Sequence, residues 1–451
     1  MDTFNSWFCK RITVFVFFAG LLSFAACSKD EGVAPDKNLP PEVIFAVDAL
    51  AVEKNSGVTL KVNVTDPDAD NVTVNWQVRR NGQPSGSLNP AQQGSPSITW
   101  TTPTTTGRDT VTVTATDGKG GTATLVETIL VGTVRRDPIQ GPNITWFAID
   151  SPFIIRPAQD RFIIEPTASL IVGAGSELFL DKADLEVYVE GTLRTNGTSQ
   201  APVIIRPNTR TPKPGYWAGI TASPNSSVPL IQLSHTDVLY AKEAIKAFVR
   251  AEVRLDGCRI MFSTDVAVLY QAFGDLRVLN SAITNNVKSG IRIGGPAVST
   301  LPDSVVISGD SLAVNGDISG QTPYTDQAAI YIDIPDYSRD SEIQILDNKI
   351  SRNGFPGIQL VKACYPKIHN NSIFSNELGK AGQRYNIRLE NNFGVGGPQD
   401  TIGAQQNYWG APFTNPATDS LLIKQMIRDS EDGVGGIMVR LLIYPWLTVA
   451  P

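Results

Sequence analysis

The sequence predicts an all-β protein built from two unlike parts, an antiparallel β-sandwich followed by a long coiled solenoid. Short runs of alternating apolar and polar residues, separated by turn-forming clusters, extend from residue 42 to residue 132. From residue 144 to residue 451, apolar landmark residues recur with a period in the twenties, which is typical of stacked coils. Charged residues make up only 18% of the chain, and this low fraction argues against long surface helices.

The composition excludes several classes of function. With 451 residues, the chain is long enough for two or three domains with cores of their own. Its formal net charge of -6 argues against nucleic-acid binding, which depends on Lys and Arg side chains that reach phosphates. The 2 His residues leave little room for a histidine-based metal site or a Ser-His-Asp triad.

The first 26 residues have the features of a secretory signal. Lys10 and Arg11 precede an apolar run from residue 12 to residue 26, which ends in small residues and is followed by Cys27. A basic start, a brief apolar core and a small-residue end are typical of a cleaved signal, and the run is too short for a spanning helix. Residues 1–26 are therefore predicted to be a signal peptide.

The residues around the cysteine narrow this prediction. Ala25-Ala26-Cys27 resembles the lipobox of bacterial lipoproteins, and the Ser-Lys-Asp-Glu of residues 28–31 resembles the surface-export tag of Bacteroidetes lipoproteins. The resemblance implies that Cys27 carries the lipid, palmitate included, and that the protein is an outer-membrane lipoprotein exposed at the cell surface. The alternative is an ordinary cleaved signal that happens to contain a cysteine.

A lipidated, Pro-rich tether of residues 27–41 leads into the predicted sandwich, residues 42–132. Residues 58–64, 72–76 and 110–115 alternate with a period of two, and turn-forming clusters separate them. Short alternating strands over a segment of this length are typical of an immunoglobulin-like sandwich. The stretches TDPDADN and VTVTATDGKGGTAT resemble the cadherin-like or polycystic-kidney-disease-type modules of secreted bacterial proteins.

Three aspartates follow one of these strands. Asp66, Asp68 and Asp70 are spaced so that one loop brings their carboxylates together, and calcium is a hard cation that accepts such oxygen ligands. The competing interpretation is an acidic turn bent by Pro67, because one turn rarely supplies the about six to eight ligands that calcium takes. No other cofactor is indicated by the sequence.

The rest of the chain repeats itself after a predicted linker of residues 133–143. A small residue followed by an apolar one recurs at intervals of 23 to 29 residues, with one interval of 39. A second apolar landmark precedes each of these pairs except the first. The first set is Ile220, Ile245, Val268, Ile291, Ile330, Ile358 and Ile387, and the second is Val238, Ile260, Ile283, Leu312, Ile350 and Ile373. Two landmarks that advance together without helix signals predict a β-solenoid over residues 144–451.

A column of asparagines supports the same prediction. Each member lies three residues after the second landmark, on four consecutive coils, where one amide can bond to the next. The members are Asn286, Asn315, Asn353 and Asn376. At this point the chain resembles the right-handed parallel β-helix proteins of the pectin-lyase-like class, in which such ladders recur. Residues 178–220 and 407–410 carry the same resemblance, which implies a right-handed parallel β-helix.

Enzymes with this fold act on polysaccharides, so the resemblance implies a polysaccharide lyase or glycoside hydrolase as one function. The motifs of such hydrolases are missing, because the sequence has no Gly-His-Gly and no Asp-Asp, and its His residues fall on distant coils. The nearest acidic cluster is Asp333, Asp336 and Asp340 with Arg339, which has the groups for calcium binding and base chemistry. Charged residues are common in loops in any case, and no catalytic residue is assigned.

Carbohydrate binding needs aromatic faces for sugar rings and directional hydrogen bonds from polar groups. The sequence places such groups in two neighbouring sets. One set is a column of outward-facing positions, and the other lies in or beside the insertions that lengthen one coil. They are Arg292, Tyr331, Gln359 and Arg388 in the column, and Tyr324, Asp333, Tyr337 and Arg339 in or beside the insertions. We expect these residues to bind an acidic glycan. The competing interpretation is an ordinary solvated sheet face.

These observations favour a surface lipoprotein whose solenoid binds a polysaccharide or a cell-surface partner without catalysis. A polysaccharide lyase or hydrolase is the first alternative, and a purely structural or adhesion protein is the second. We expect a monomer that contacts the membrane through its lipid anchor only and binds no nucleic acid.

Overall fold

The structure is a computed structural model of the chain. It describes residues 37–223, 228–294, 303–317, 327–334, 343–361, 365–378, 384–390, 400–410, 413–429 and 439–451. Within these ranges the protein is almost entirely β-structure, with a single α-helix near the C-terminus.

An antiparallel sandwich forms the N-terminal part. Its strands are β1 (Glu42–Phe45), β2 (Ala51–Glu53), β3 (Gly57–Thr65), β4 (Thr73–Arg80), β5 (Gln83–Pro84), β6 (Ser87–Leu88), β7 (Ser97–Thr101), β8 (Gly107–Thr116) and β9 (Thr122–Arg135), with a 3-10 helix at Pro90–Gln92. One sheet has the order β1-β3-β7-β6, and the other contains β5, β4, β8 and β9. Alternation along the strands buries Trp76, Trp100 and Ile129 between the sheets. The predicted immunoglobulin-like sandwich is confirmed.

The solenoid follows as a succession of short strands with a 3-10 helix at Ala148–Asp150. In chain order they are β10 (Ile144–Trp146), β11 (Phe153–Ile155), β12 (Arg161–Ile164), β13 (Ser169–Gly173), β14 (Glu177–Leu180), β15 (Glu186–Val189), β16 (Thr192–Asn196), β17 (Val203–Pro207), β18 (Gly219–Ala222), β19 (Leu230–Ser234), β20 (Thr236–Leu239), β21 (Ile245–Arg250), β22 (Glu252–Asp256), β23 (Arg259–Met261), β24 (Val268–Phe273), β25 (Asp275–Leu279), β26 (Ala282–Thr284), β27 (Ile291–Gly294), β28 (Ser304–Ser308), β29 (Ser311–Ala313), β30 (Ile330–Asp333), β31 (Ile343–Leu346), β32 (Lys349–Ser351), β33 (Ile358–Val361), β34 (Lys367–His369), β35 (Ser372–Phe374) and β36 (Ile387–Leu389).

Each full coil contributes one strand to each of three parallel sheets, which we name sheets 1, 2 and 3 in the order in which the chain passes through them. Sheet 1 runs from β10 to β34, sheet 2 includes β11 to β35, and sheet 3 begins with β12 and continues through β36. The turn from sheet 1 to sheet 2 is called the first turn, and the turn from sheet 2 to sheet 3 the second turn. The predicted parallel β-helix architecture is confirmed.

The two sets of sequence landmarks are register-paired columns of the solenoid core. The first set forms one inward column of sheet 3. The second set forms one inward column of sheet 2. All of these side chains are fully buried and belong to one continuous core. Each coil therefore buries its aliphatic residues against the coils above and below, as a repeat of this period requires.

The sandwich and the solenoid share a sheet. Strand β9 continues past residue 132, and Thr133 to Arg135 pair in parallel with β11, so sheet 2 runs on into the sandwich strands β9, β8, β4 and β5. The predicted linker of residues 133–143 therefore begins inside a strand. The backbone of β9 lies so close to Pro152 that residue 132 has to be a glycine, because a Cβ atom there would lie 2.5 Å from the carbonyl oxygen of Pro152.

Polar contacts reinforce this junction. The Asn208 side chain accepts a hydrogen bond from the Ala51 N–H and donates one to the Ala51 carbonyl oxygen. The Arg210 guanidinium donates to the carbonyl oxygens of Val47 and Thr128 and pairs with Glu127 at 2.9 Å. The sandwich thus covers the first coil of the solenoid and pairs with the edge of its first sheet 2 strand. An unpaired strand edge could otherwise pair with a strand of another chain.

The C-terminal segment closes the described chain. Strands β37 (Asp400–Gly403) and β39 (Val439–Leu442) pair with each other, and β38 (Ile427–Arg428) extends sheet 3 beyond β36. The helix α1 (Pro416–Lys424) precedes β38 and buries Ile423 in the solenoid core. No helix in the described part of the chain is long and apolar enough to cross a membrane.

Candidate functional site

The predicted binding column lies on the outward side of sheet 3. Arg292, Tyr331, Gln359 and Arg388 are direct register partners on β27, β30, β33 and β36, and Arg428 of β38 continues the column. Side chains at equivalent positions of parallel strands stack about 4.8 Å apart. The structure therefore brings together the four column residues that the sequence analysis selected.

The column points outward but is not a solvated face. Tyr331 and Gln359 are 1% exposed and Asp333 is 3% exposed. The long side chains of successive strands lie against one another: the Arg292 guanidinium lies 4.8 Å from the centre of the Tyr331 ring, an arrangement that favours a cation over the aromatic face. The interpretation of this face as an ordinary solvated surface is therefore wrong for these three residues.

Carboxylates lie beside the column and partner part of it. Gln359 donates to Glu390 at 2.6 Å, and Arg388 lies 3.2 Å from the same carboxylate. The buried Glu377 carboxylate lies 3.8 Å from Arg388 and accepts the N–H of Tyr385. The sequence analysis missed both glutamates, although Glu390 follows Arg388 by two residues and so falls on the same outward side of the strand.

Two polar atoms of the column have neither a hydrogen-bond partner nor an ion-pair partner among the described residues, whereas the buried Nε of Arg388 has only its ion pair with Glu390. Nε of Arg292 and Oε1 of Gln359 are both buried and unpaired in the structure. Buried polar groups are nearly always hydrogen-bonded, and an exception calls for a specific explanation. A guanidinium N–H and an amide oxygen together offer one donor and one acceptor, the combination that binds hydroxyl and carboxylate groups.

The outward column of sheet 1 is more exposed to solvent than the column of sheet 3. Arg194, Arg254 and Arg277 lie on that side of β16, β22 and β25 and are exposed. Arg254 pairs with Glu252 at 2.7 Å, two residues away on the same strand. None of these three guanidinium groups is both buried and unpartnered, in contrast to the sheet 3 column.

Several predicted residues lie outside the described residues. They are Cys27, Tyr324, Tyr337 and Arg339, together with Asp336 and Asp340 of the acidic cluster. Only Asp333 of that cluster is described. The two described histidines lie on different coils. Nδ1 of His369 lies 3.1 Å from the Gln405 carbonyl oxygen, whereas the His235 ring packs over Gly257 on an earlier coil.

The three sandwich aspartates lie in one loop after β3. Their ligand atoms lie within 4.8 Å of one another, and Oδ1 of Asp66 accepts the backbone N–H groups of Asp68 and Asp70. The Lys119 ammonium lies 2.7 Å from Asp70. The donor set suits a hard cation in kind, but a cationic side chain already pairs with one of the three carboxylates.

The comparisons with known proteins concern this part of the chain. Residues 38–129 match the bacterial Ig domain family. The matched segment begins four residues before β1 and ends within β9, so it coincides with the sandwich. Comparison with curated proteins and with solved structures gave no match.

Beyond the bacterial Ig domain, the predicted asparagines form a column in the second turn. Asn286 donates to Asn315 at 2.9 Å, and Asn353 donates to Asn376 at 2.8 Å. The Asn315 N–H donates to Asn353 at 3.0 Å. The column continues to Asn386, which accepts from Asn376. Sequence reasoning missed Asn386 because it occupies the small-residue position of the first landmark.

Proposed function

We propose that the protein is a surface-anchored bacterial binding protein whose solenoid binds a polysaccharide without catalysis. The observation that carries the proposal is the sheet 3 column, in which Nε of Arg292 and Oε1 of Gln359 are buried without partners. An unmade hydrogen bond at a buried polar atom costs about 1–3 kcal/mol. A ligand rich in hydroxyl and carboxylate groups that reached these atoms after a shift of the side chains covering them would recover part of this cost.

The form of the column favours an extended ligand. Arg292 and Arg388 are separated by three strand spacings, or about 14 Å. A single sugar ring is too small to contact both guanidinium groups, whereas consecutive residues of a linear polymer reach both. Arg388 retains 18% exposure of its side chain, and Arg292 is also partly accessible, so these two residues are where an anionic ligand first makes contact.

The bacterial Ig domain would act as the spacer. Asn38 donates to Asp117 and the Leu39 N–H donates to Asp68, so the chain enters the domain beside the hairpin that starts β9. The solenoid begins at the other end of that 14-residue strand, about 45 Å away. An anchor attached through the tether would therefore hold the solenoid on the side that faces away from the membrane.

The binding function is tested with purified protein on a polysaccharide array that includes uronic-acid and neutral polymers. We expect retention of at least one anionic polymer without new reducing or unsaturated ends. The Arg292→Ala, Arg388→Ala double variant should lose about tenfold or more in affinity, as expected when two charged hydrogen-bonding groups are removed. The matched control is Arg254→Ala, Arg277→Ala on sheet 1, which should bind like the wild type.

Each other outcome would contradict a named part of the proposal. New product ends would show a lyase or hydrolase instead of a binder. Equal binding by both double variants would remove the sheet 3 column as the site. If the protein retains no polymer but binds intact cells, an adhesion role replaces polysaccharide binding.

The anchor is a separate part of the proposal. The full chain expressed in a bacterial host should incorporate an alkyne-labelled palmitate, and Cys27→Ala should abolish the label. Surface exposure is then measured by protease treatment of intact cells. Labelling that persists in Cys27→Ala, or protection from protease, would contradict the lipid anchor at Cys27 or the surface location, respectively.

A further inference from the structure

A second polar column runs through the first turn of the solenoid, where the sequence pattern gave no sign of a ladder. Its first six members occupy the position just before or at the start of successive sheet 2 strands, and its last member precedes Tyr408, which forms an isolated bridge to Ser372 of β35. All seven are at most 2% exposed. They are Thr236, Cys258, Ser281, Asp310, Asn348, Asn371 and Asn407. In the later coils, each backbone N–H donates to the side chain of the next member, at 2.6 Å from Ser281 to Asp310 and 2.9 Å from Asp310 to Asn348.

The asparagine members share one hydrogen-bond pattern. Nδ2 of Asn348 donates to Oδ1 of Asn371 at 3.0 Å and to the Ile307 carbonyl oxygen at 2.9 Å. Nδ2 of Asn371 repeats this with Asn407 at 3.0 Å and with the Ile345 carbonyl oxygen at 2.8 Å. The amides of Asn348 and Asn371 therefore both donate along the column and to the preceding coil.

Asp310 differs from these asparagines by one atom, because it has an oxygen, Oδ2, in place of the amide nitrogen Nδ2. It holds the place that an asparagine holds in the next three members, so its second oxygen stands where the others have a donor nitrogen. Oδ2 of Asp310 is buried and has no hydrogen-bond partner. An ionised carboxylate has only acceptors, and it would face the acceptor oxygen of Asn348. A protonated carboxyl has the donor that this place in the column requires.

We propose that Asp310 is a neutral carboxylic acid that donates from Oδ2 within the first-turn column, and that its ionisation makes the solenoid less stable as the pH rises. A protonated Oδ2 gives the hydrogen bond that Nδ2 gives at Asn348 and Asn371. Loss of the proton leaves a buried charge and opposes two acceptor oxygens, both of which are unfavourable.

The surroundings agree with the neutral form. Burial raises the pKa of Asp310 to about 7, although the backbone N–H groups of Ser281 and Ser308 oppose the shift. The charged group that acts on it is another carboxylate, Asp256 of β22, which raises the pKa further. On the other side, Asp347 and Lys349 flank Asn348 but are exposed.

The direction of the pH effect follows from this shift. The folded pKa lies above the value of about 3.9 of an unfolded aspartate. Both states are protonated below that value, so the column is intact there. Stability is then lost progressively as the pH rises from about 4 to about 7, and the loss is complete above the folded pKa.

The test compares the wild type with Asp310→Asn, which places in this coil the residue that the next three members already have. Between pH 5 and pH 8, the unfolding constant of the wild type should rise about a hundredfold relative to that of the variant. Asp347→Asn, on the neighbouring exposed position, is the matched control and should follow the wild type. The same pH dependence in Asp310→Asn and in the wild type would overturn the proposal.

A direct measurement does not depend on unfolding. At pH 6, the infrared spectrum of the wild type should contain the carbonyl band of a protonated carboxylic acid, and this band should be missing from Asp310→Asn. The band should disappear from the wild type as the pH is raised to 8. A wild-type spectrum at pH 6 without a band that Asp310→Asn removes would show that Asp310 is ionised, and the proposal would fail.

Discussion

The turns of the solenoid and the turns of the bacterial Ig domain use the same residue types in different ways. In the Ig domain, Asp117 closes its own hairpin by accepting the N–H groups of Lys119 at 2.7 Å and Gly121 at 2.9 Å. In the solenoid, Asn353 bonds to other coils, with donors directed to Leu312 at 3.0 Å and to Asn376 at 2.8 Å. The Ig-domain aspartate therefore bonds mainly within its own hairpin, with one further donor from Asn38, whereas the solenoid asparagine links several coils.

The two regions also treat an aspartate in opposite ways. A hydrogen bond from the Asn38 side chain, helped by backbone N–H groups, lowers the pKa of Asp117. Burial raises the pKa of Asp310. Donors surround the first carboxylate, whereas the second replaces a donor in a stacked column. The same side chain is thus held as an anion in an isolated turn and as a neutral acid in a stacked one.

The largest expected effect comes from breaking a stacked turn. Asn353→Ala removes the two hydrogen bonds above and leaves the Asn315 N–H, which donates to Oδ1 of Asn353, without its acceptor. Each buried group left unpaired costs about 1–3 kcal/mol, so we expect the free energy of unfolding to fall by about 3–5 kcal/mol. Urea denaturation measures this change.

The matched control is a removed amide in the other region. Asn75 is exposed on β4, and Asn75→Ala should change the free energy of unfolding by less than about 0.5 kcal/mol. If Asn353→Ala is as mild as this control, the second-turn column is not a source of stability and the contrast between the two regions is lost.

The next effect concerns the place where the two regions meet. Arg210→Ala removes a guanidinium that contacts Val47, Glu127 and Thr128 of the Ig domain from the solenoid side. We expect a loss of about 2 kcal/mol, with the Ig domain unfolding at a lower urea concentration than the solenoid. Tryptophan fluorescence and circular dichroism followed together would reveal the separation.

Arg210→Lys sharpens this test because lysine keeps the charge but lacks the planar fork of donors. It should fall between the wild type and Arg210→Ala. Coincident, unshifted transitions in Arg210→Ala would mean that the shared sheet alone couples the two regions, and that the polar contacts of the junction add nothing measurable.

The sequence predicts the repeat well because the same aliphatic residues recur at both landmarks, and each must face the core on every coil. It does not predict the first-turn column, because Thr236, Cys258, Ser281 and Asp310 share no residue type although they share a position. The sequence also does not predict that Tyr331 and Gln359 are buried. Alternation shows that these side chains point outward, but not what packs around them.

The junction escapes sequence reasoning for a related reason. The strand pattern of β9 continues without interruption past residue 132, yet nothing in it shows that residues 133–135 pair with β11 in parallel. Pairing between segments distant in sequence depends on the whole fold. The residues after residue 132 are mostly polar, which is typical of a linker. This local composition therefore predicts a linker where the fold has the end of strand β9.

A smaller effect tests the opposite ionisation of the two aspartates. Because the pKa of Asp117 is lowered on folding, its contribution to stability is present above the unfolded value of about 3.9 and is lost as the pH falls through the folded pKa. Asp117→Asn should therefore melt at a lower temperature than the wild type at pH 7. The difference should disappear in acid, which is the reverse of the behaviour expected for Asp310→Asn. A difference that grows in acid would contradict the assignment.

The smallest expected effect concerns calcium at the Asp66, Asp68 and Asp70 loop of the Ig domain. The loop is closed by its own backbone N–H groups, and Lys119 pairs with Asp70, so three carboxylates provide only part of the shell that calcium takes. Adding calcium to chelator-treated protein should shift the melting temperature by less than about 1 °C, well below the about 4–8 °C that 1 kcal/mol produces in a domain of this size. A shift of several degrees that Asp68→Asn abolishes would instead establish a calcium site.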